Sequence, residues 1–320
     1  MGSSPILKLI AQRLALGVLL LLAVSVLIFA GTELLPGDVA ATILGQSATP
    51  QSLANLRAEL GLNDPAYVRY FRWLGGMLTG DLGTALSNGR DIADALGGRM
   101  ANTLFLAAAA AILSVPLAIL LGLLAVRYRN GPVDKAISGL ALASTSLPEF
   151  FIGYLLILFF SVKLNIFPSV STVYDGMAFG DRIMAVALPA TVLTLVVLAH
   201  MMRMTRAAIL NVMQSAYIET AELKGLSAFT VIRRHALPNA IAPIVNVVML
   251  NLAFLVVGVV VVEVIFVYPG MGQYLVDHVS KRDVPVVQAV GLIFAAVYIG
   301  LNIIADIAAI VANPRLRHPK

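Results

Sequence analysis

The sequence predicts an all-α integral membrane protein with six transmembrane helices, and three observations carry this prediction. Hydrophobic residues make up 59% of the 320 residues and charged residues only 12%. The mean hydropathy is +0.91, and a water-soluble globule of this composition would have too few polar groups to cover its surface. The apolar residues form long uncharged runs, which two polar segments at 32–99 and 206–238 interrupt. We expect one transmembrane domain over residues 1–320.

The uncharged runs have the length that a membrane requires. Because an α-helix rises about 1.5 Å per residue and the hydrocarbon core is about 30 Å thick, roughly 20 residues span it. The runs are Leu14 to Gly31, Met100 to Val126, Ala136 to Val162, Ile183 to Met202, Ala236 to Val262 and Val284 to Ala305. Only Glu149 interrupts the third. The first run also has the length of a cleaved signal peptide, but the five further spans favour a retained anchor.

Basic residues set the predicted orientation. With the N-terminus inside, 13 of the 22 Lys and Arg residues lie in the cytoplasm: Lys8, Arg13, Arg127, Arg129, Lys135, Arg203, Arg206, Lys224, Arg233, Arg234, Arg315, Arg317 and Lys320. Five of the other nine belong to the 32–99 segment, and long segments cross the membrane largely regardless of charge. Both termini are therefore expected in the cytoplasm. Membrane orientation, and not contact with nucleic acid, explains the net charge of +5.

The extracytoplasmic segment at 32–99 carries the start and stop signals of two short helices. Thr49 as N-cap and Pro50 at the first helical position open one helix, and Gly61 ends it. Asp64 and Pro65 repeat the start signal for the next helix. Its amphipathic stripe consists of Tyr67, Tyr70, Phe71, Leu74 and Leu78. The segment fits a lid over the helical bundle or a docking surface for an external partner, and the sequence favours the lid slightly.

The cytoplasmic segment at 206–238 has the composition of a helical hairpin. Its first arm gains a water-soluble surface from Glu219, Glu222 and Lys224. Gly225 is expected to end this arm in left-handed geometry, which glycine adopts without strain. Ser227 then caps a second helix that ends at His235, and Pro238 marks the return of the chain into the membrane. Composition alone does not separate an ordinary solvated loop from a binding surface.

Several kinds of catalytic site are missing from the sequence. No lysine follows a glycine, so the chain has no phosphate-binding loop of the Gly-Lys type and no ATPase site of that kind. A Gly-x-Ser-x-Gly nucleophile motif is also missing. There is no cysteine, and the four histidines are dispersed, so the sequence contains no pattern of metal ligands.

Three carboxylates lie within or near the apolar runs, where an unpaired ion costs several kcal/mol. Glu149 follows Pro148, a residue that breaks helical hydrogen bonding, and has 13 uncharged residues on each side within the third run. It fits the lining of a wet translocation path, and it fits equally well a structural carboxyl that caps the broken helix or pairs with another helix. Glu263 and Asp306 lie nearer the ends of their runs, where interfacial water is expected to reach them.

Short motifs extend from one end of the chain to the other. They are Leu35-Pro36-Gly37-Asp38, Trp73 with Gly80-Asp81-Leu82-Gly83, Asn102-Thr103-Leu104, Ser146-Leu147-Pro148, Arg203-Met204-Thr205-Arg206, Lys224-Gly225-Leu226-Ser227, His235-Ala236-Leu237-Pro238-Asn239-Ala240, Glu263-Val264-Ile265-Phe266, Pro269-Gly270-Met271-Gly272, Arg282-Asp283-Val284-Pro285 and Asn313-Pro314-Arg315. In their order and spacing the chain resembles the dipeptide/oligopeptide/nickel permease family of ABC importers, in particular its first permease type. The general importer pattern has alanine in place of Thr220, whereas the histidine at 235 is frequent in the peptide branch.

The resemblance implies a function, a set of partners and a set of site residues. Residues that couple to the ATPase would be Glu219, Thr220, Ala221, Glu222, Lys224, Gly225, His235, Leu237 and Pro238. The chain would be a permease subunit of an ATP-driven importer of peptides or related small solutes in the bacterial inner membrane. Its partners would be membrane lipid, a second homologous permease, two ATPase subunits or domains that bind ATP and Mg, and an extracytoplasmic substrate-binding protein. The alternative is a proton-coupled secondary transporter that uses Glu149 or Asp306. The presence of buried carboxylates favours this alternative. Pro148 and Glu149 are the candidates for the translocation path.

Overall fold

The computed structural model describes residues 5–34, 37–174 and 176–312, and within these ranges the chain folds into helices joined by turns. The helices are α1 (Pro5–Glu33), α2 (Val39–Leu44), α3 (Pro50–Glu59), α4 (Ala66–Thr79), α5 (Ile92–Arg127), α6 (Pro132–Ser146), α7 (Glu149–Leu156), α8 (Phe179–Met213), α9 (Ala216–Leu223), α10 (Ala228–Val231), α11 (Leu237–Ile265), α12 (Met271–Ser280) and α13 (Val284–Ala312). The first two residues of the motif Leu35-Pro36-Gly37-Asp38 and the basic residues after position 312 lie outside the described ranges.

Five of these helices are long and apolar enough to cross a membrane, as the sequence predicts: α1, α5, α8, the continuous helix Ala228–Ile265 that contains α11, and α13. The third expected span, Ala136 to Val162, is not one straight helix. Its two halves, Pro132–Ser146 and Glu149–Lys163, meet at an angle of 103°. Leu147 is extended because it precedes a proline, and Pro148 starts the second half. Counted as one broken span, the pair brings the number of spans to six.

The centre of the bundle is built where α5 and α8 pack along each other, with α11 against both. Its largest buried side chains include Leu106 on α5, Leu193 on α8 and Leu255 on α11. α1 is peripheral and packs along α13. Arg13 pairs with Asp306 at 3.0 Å near one end, and Gln288 donates a hydrogen bond of 2.6 Å to Thr32 near the other. The two outer helices are therefore tied at both ends.

The two helices predicted in the 32–99 segment are present. Thr49 caps α3 by accepting a hydrogen bond from the Ser52 N–H, and Gly61 follows the helix with a positive φ of 64°. α4 begins after Pro65, with no side-chain cap. Arg57 donates a hydrogen bond of 2.9 Å to Asp38 and holds the pKa of that carboxyl below its ordinary value. This bond ties the segment's first turn to α3.

Candidate functional site

The predicted hairpin is formed by α9 and α10, and its turn has well-defined geometry. Gly225 has φ of 78°, as expected. Its N–H donates to the Glu222 carbonyl at 2.9 Å, and the Leu226 N–H donates to the Ala221 carbonyl at 3.4 Å. These two bonds are the Schellman motif that ends a helix at a left-handed residue. Ser227 then caps α10 by accepting a hydrogen bond from the Thr230 N–H at 3.4 Å. The predicted end of the first arm at Gly225 and the predicted start of the second arm at Ser227 are confirmed.

The second arm differs from the prediction because it does not end at His235. The helix continues from Ala228 to Ile265, so Pro238 lies inside it and does not mark a break before the membrane span. A π-helical turn over Ile232–Ala236 explains the continuity. In this turn the Leu237 N–H donates to the Ile232 carbonyl, five residues back, so the hydrogen-bond pattern changes directly before the proline that has no N–H to donate.

Buried side chains attach the hairpin to the bundle. Ile218, Ala221 and Val231 are buried, and they pack in one cluster with Val126 of α5 and Ile209 of α8. Near these residues, at the same end of the bundle, Arg206 of α8 binds both oxygens of the buried Asp134 of α6, at 3.0 and 2.8 Å. The hairpin is therefore packed against α5 and α8 through buried side chains.

The structure separates the predicted coupling residues by exposure. Glu219, Thr220, Glu222, Lys224, Gly225 and Pro238 are exposed, His235 and Leu237 are half-buried, and Ala221 is buried. In the part of the chain that the structure describes, the charged groups of this set form no ion pair. They remain available to a partner, whereas Ala221 supports the hairpin from inside.

Sequence reasoning missed an apolar surface at the tip. Leu223 is 82% exposed and Phe229 is 60% exposed, and Tyr217 and Leu226 are exposed beside them. We call these four residues the tip patch. A signal was available: Leu223 lies two residues after the buried Ala221, and Phe229 two residues before the buried Val231. Because two residues correspond to about 200° on a helix, both side chains must point away from the bundle.

The break between α6 and α7 places Glu149 at the first position of α7. Pro148 precedes it with φ of −61° and ψ of 141°, and the Phe151 and Ile152 N–H groups donate to the Pro148 carbonyl. The Glu149 side chain is half-buried and has no hydrogen bond or ion pair among the described residues. Among the described residues it therefore does not form the interhelical pair that was one form of the structural interpretation. A helix N-terminus favours a carboxylate at this position.

Glu263 is fully buried, so the expectation that interfacial water solvates it is wrong. One carboxylate oxygen accepts a hydrogen bond of 2.6 Å from Thr103 of α5. The other accepts from the N–H groups of Gly272 and Gln273, at 2.7 and 3.1 Å, at the start of α12. Gly270 leaves the room this requires, because a Cβ there would lie 2.1 Å from a Glu263 oxygen. The site joins α5, α11 and α12 in what we call the Glu263 junction.

Comparisons with known proteins agree with this architecture. The family described as "Binding-protein-dependent transport system inner membrane component" matches residues 114–318, and a companion family for the N-terminal part of such components matches residues 6–107. A probable peptide ABC transporter permease of Sinorhizobium fredii is 34% identical over 97% of this chain and 99% of its own length. A putative peptide transport system permease of Brucella abortus is 35% identical over 97% and 99%.

A glutathione transport system permease of Salmonella paratyphi A is 36% identical over 93% of this chain and 95% of its own length. These matches do not support a proton-coupled secondary transporter. They also agree with the missing phosphate-binding loop, since permease subunits leave ATP hydrolysis to partner subunits. With a family match over residues 114–318 and relatives aligned nearly end to end, the chain belongs to the inner-membrane permease components of binding-protein-dependent ABC transport systems.

Proposed function

We propose that this chain imports peptides or related small solutes as one of two permeases in an importer driven by ATP. The relatives in Sinorhizobium and Brucella are named as probable or putative peptide permeases, and glutathione, the substrate in the Salmonella relative's name, is itself a peptide. In the proposed assembly a second, homologous permease completes the path, two ATPase subunits bind ATP and Mg, and an extracytoplasmic protein delivers the substrate. The chain lies in a bacterial inner membrane with both termini in the cytoplasm.

The observation that carries this proposal is the tip patch on its attached hairpin. Four exposed apolar or aromatic side chains at the end of a membrane protein are unfavourable in water and are typical of a surface that a partner covers. Glu219, Glu222 and Lys224 alternate with the patch residues along the chain and are exposed, without an ion pair among the described residues, as is typical of the polar rim of an interface. We infer that the ATPase binds here. The charged residues and the turn at Gly225 determine how the two surfaces match.

The same assignment gives a role to the break at Pro148. Irregular backbone at membrane depth is tolerated where it lines a cavity or is buried in protein, and broken helices are common beside transport paths. Glu149 has no hydrogen-bond partner among the described residues, and it lies where a helix N-terminus stabilises negative charge. We infer that Pro148 and Glu149 line the path between the two permeases.

The ATPase contact is tested by replacing Leu223 with aspartate. Burying a leucine contributes about 1.5–3 kcal/mol, so Leu223→Asp should weaken ATPase association about 10- to 100-fold. Leu34→Asp is the matched control, because Leu34 is also 82% exposed but lies at the other end of the bundle. The measurement is co-purification of the ATPase subunits and substrate uptake at equal expression. Equal ATPase recovery in both variants would contradict the proposal.

A further inference from the structure

The helix α4 of the extracytoplasmic segment carries a stripe of exposed apolar side chains. Tyr67 and Phe71 are each 67% exposed, and Leu78 is 81% exposed. At about 100° per residue these three and the half-buried Leu74 fall within an arc of roughly 60° on one side of the helix. A lid surrounded by water would be expected to place polar residues on that side.

The opposite side of α4 is polar, and its side chains form an ion pair and a hydrogen bond. Arg69 pairs with Glu33 at the end of α1, and Arg72 donates a hydrogen bond of 2.8 Å to Asp64. Both arginines line a cavity of about 550 Å³ between α4, the end of α1 and the start of α13. α4 therefore has a charged side, which faces this cavity, and an apolar side, which faces away from it.

The contacts between α4 and α1 show how deep α4 lies relative to the membrane boundary. The Tyr70 hydroxyl lies 2.9 Å from the Ser25 hydroxyl, and the ring of Phe29 contacts the rings of Tyr70 and Trp73 at 5.4 and 6.0 Å between centroids. Ser25 and Phe29 belong to the uncharged run that ends at Gly31. Since six residues of helix span about 9 Å, Ser25 is well inside the end of that run. α4 packs at the level of the membrane boundary and not above it.

We propose that α4 is an interfacial helix that lies in the extracytoplasmic leaflet, with its stripe among the lipid acyl chains. On α1, against which α4 packs, Val26 and Leu27 of the same stretch also expose apolar side chains. Tyrosine and tryptophan are enriched at this depth, and interfacial helices bury their apolar side about 5–10 Å into the boundary region. Arg69 and Arg72 keep their charges at the headgroup level through their ion pair and hydrogen bond. The occupant of the stripe is lipid.

The test uses the absence of cysteine from the chain. Phe71→Cys and Leu78→Cys place a nitroxide label on the stripe, and Arg72→Cys is the control on the polar side of the same helix. The variants are reconstituted in nanodiscs as complete importers whose partner subunits carry no cysteine. Power-saturation spectroscopy then compares collisions with oxygen, which partitions into lipid, with collisions with a water-soluble nickel complex.

We expect the stripe labels to favour oxygen over the nickel complex, and the Arg72→Cys label to show the reverse. Lipids carrying a doxyl quencher near the headgroup should quench Phe71→Trp fluorescence in a Trp73→Phe chain more than lipids quenched near the chain end. Strong nickel collisions at all three positions would overturn the proposal in favour of a lid in water. Protection of the stripe from both reagents would overturn it in favour of a protein partner.

Discussion

Replacing Gly225 should damage coupling to the ATPase without damaging the fold of the permease. The structure separates two effects that the sequence could not. Gly225 has φ of 78°, where an L-residue is strained by about 1–2 kcal/mol. A Cβ added there meets nothing within 4 Å, so the chain itself offers no steric obstacle. Any steric penalty must come from a partner on the hairpin.

Three substitutions measure the two effects. Gly225→Ala adds strain with a small side chain, Gly225→Asn adds a larger side chain that tolerates left-handed geometry, and Gly225→Val adds both strain and bulk. A strain of 1–2 kcal/mol lowers the ratio of native to open turn by a factor of about 5–30. In the isolated permease, hydrogen exchange of the Gly225 and Leu226 amides should therefore quicken for alanine and valine, and stay near wild type for asparagine.

The assembled importer supplies the second readout. Gly225→Val should insert normally but lose transport, by releasing the ATPase subunits or by uncoupling hydrolysis from uptake. If Gly225→Asn also loses uptake while its turn is intact, the partner seats directly on this residue. Normal uptake with normal subunit stoichiometry in Gly225→Val would refute the reasoning, because the hairpin would then be an ordinary solvated loop.

Two further predictions concern the carboxylates. Glu149→Cys should react with a water-soluble thiol reagent in the resting or nucleotide-trapped importer. As a control, a cysteine at the fully buried Ser114 should stay unlabelled. Complete protection of Glu149→Cys in both states would argue against a place on the path. Glu263→Ala leaves two N–H groups unsatisfied, each at about 1–3 kcal/mol, so it should lower the thermal stability of the permease. Gly270→Ala should do the same by collision with Glu263, whereas Gly180→Ala, which meets nothing within 4 Å, should not; equal melting temperatures for the two glycine variants would contradict the packing.

The parts of the fold that the sequence predicted are those governed by local rules. Span length depends on hydropathy alone, and the caps at Thr49 and Ser227 depend on a few neighbouring residues. The left-handed turn at Gly225 is local too. At these places the residue type restricts the backbone directly, so a single sequence is sufficient to predict the local structure.

The parts that the sequence did not predict depend on packing between distant segments. Glu263 was expected in interfacial water because it lies near a span end, but Thr103, 160 residues earlier in the chain, encloses it. The second arm was expected to end at His235, ahead of Pro238, but a π-helical turn joins it to α11 without a break. The tip patch was not predicted because the prediction for the hairpin rested on its charged residues, although the alternation of buried and exposed positions around Ala221 contained the signal.

Because the helix continues past Pro238, it links the hairpin to the Glu263 junction, two features that the sequence alone did not connect. From Ala228 at the hairpin to Ile265 beyond Glu263, the chain is one helix of 38 residues, or about 57 Å at 1.5 Å per residue. Its first turn carries Phe229 of the tip patch, and its last turn carries the Glu263 junction that holds α5 and α12. A straight helix transmits displacement along its axis because its hydrogen bonds do not stretch. If the ATPase binds the hairpin as proposed, its motion must either reach the Glu263 junction or be taken up at Ile232–Ala236, where the wider hydrogen-bonding pattern makes bending easiest.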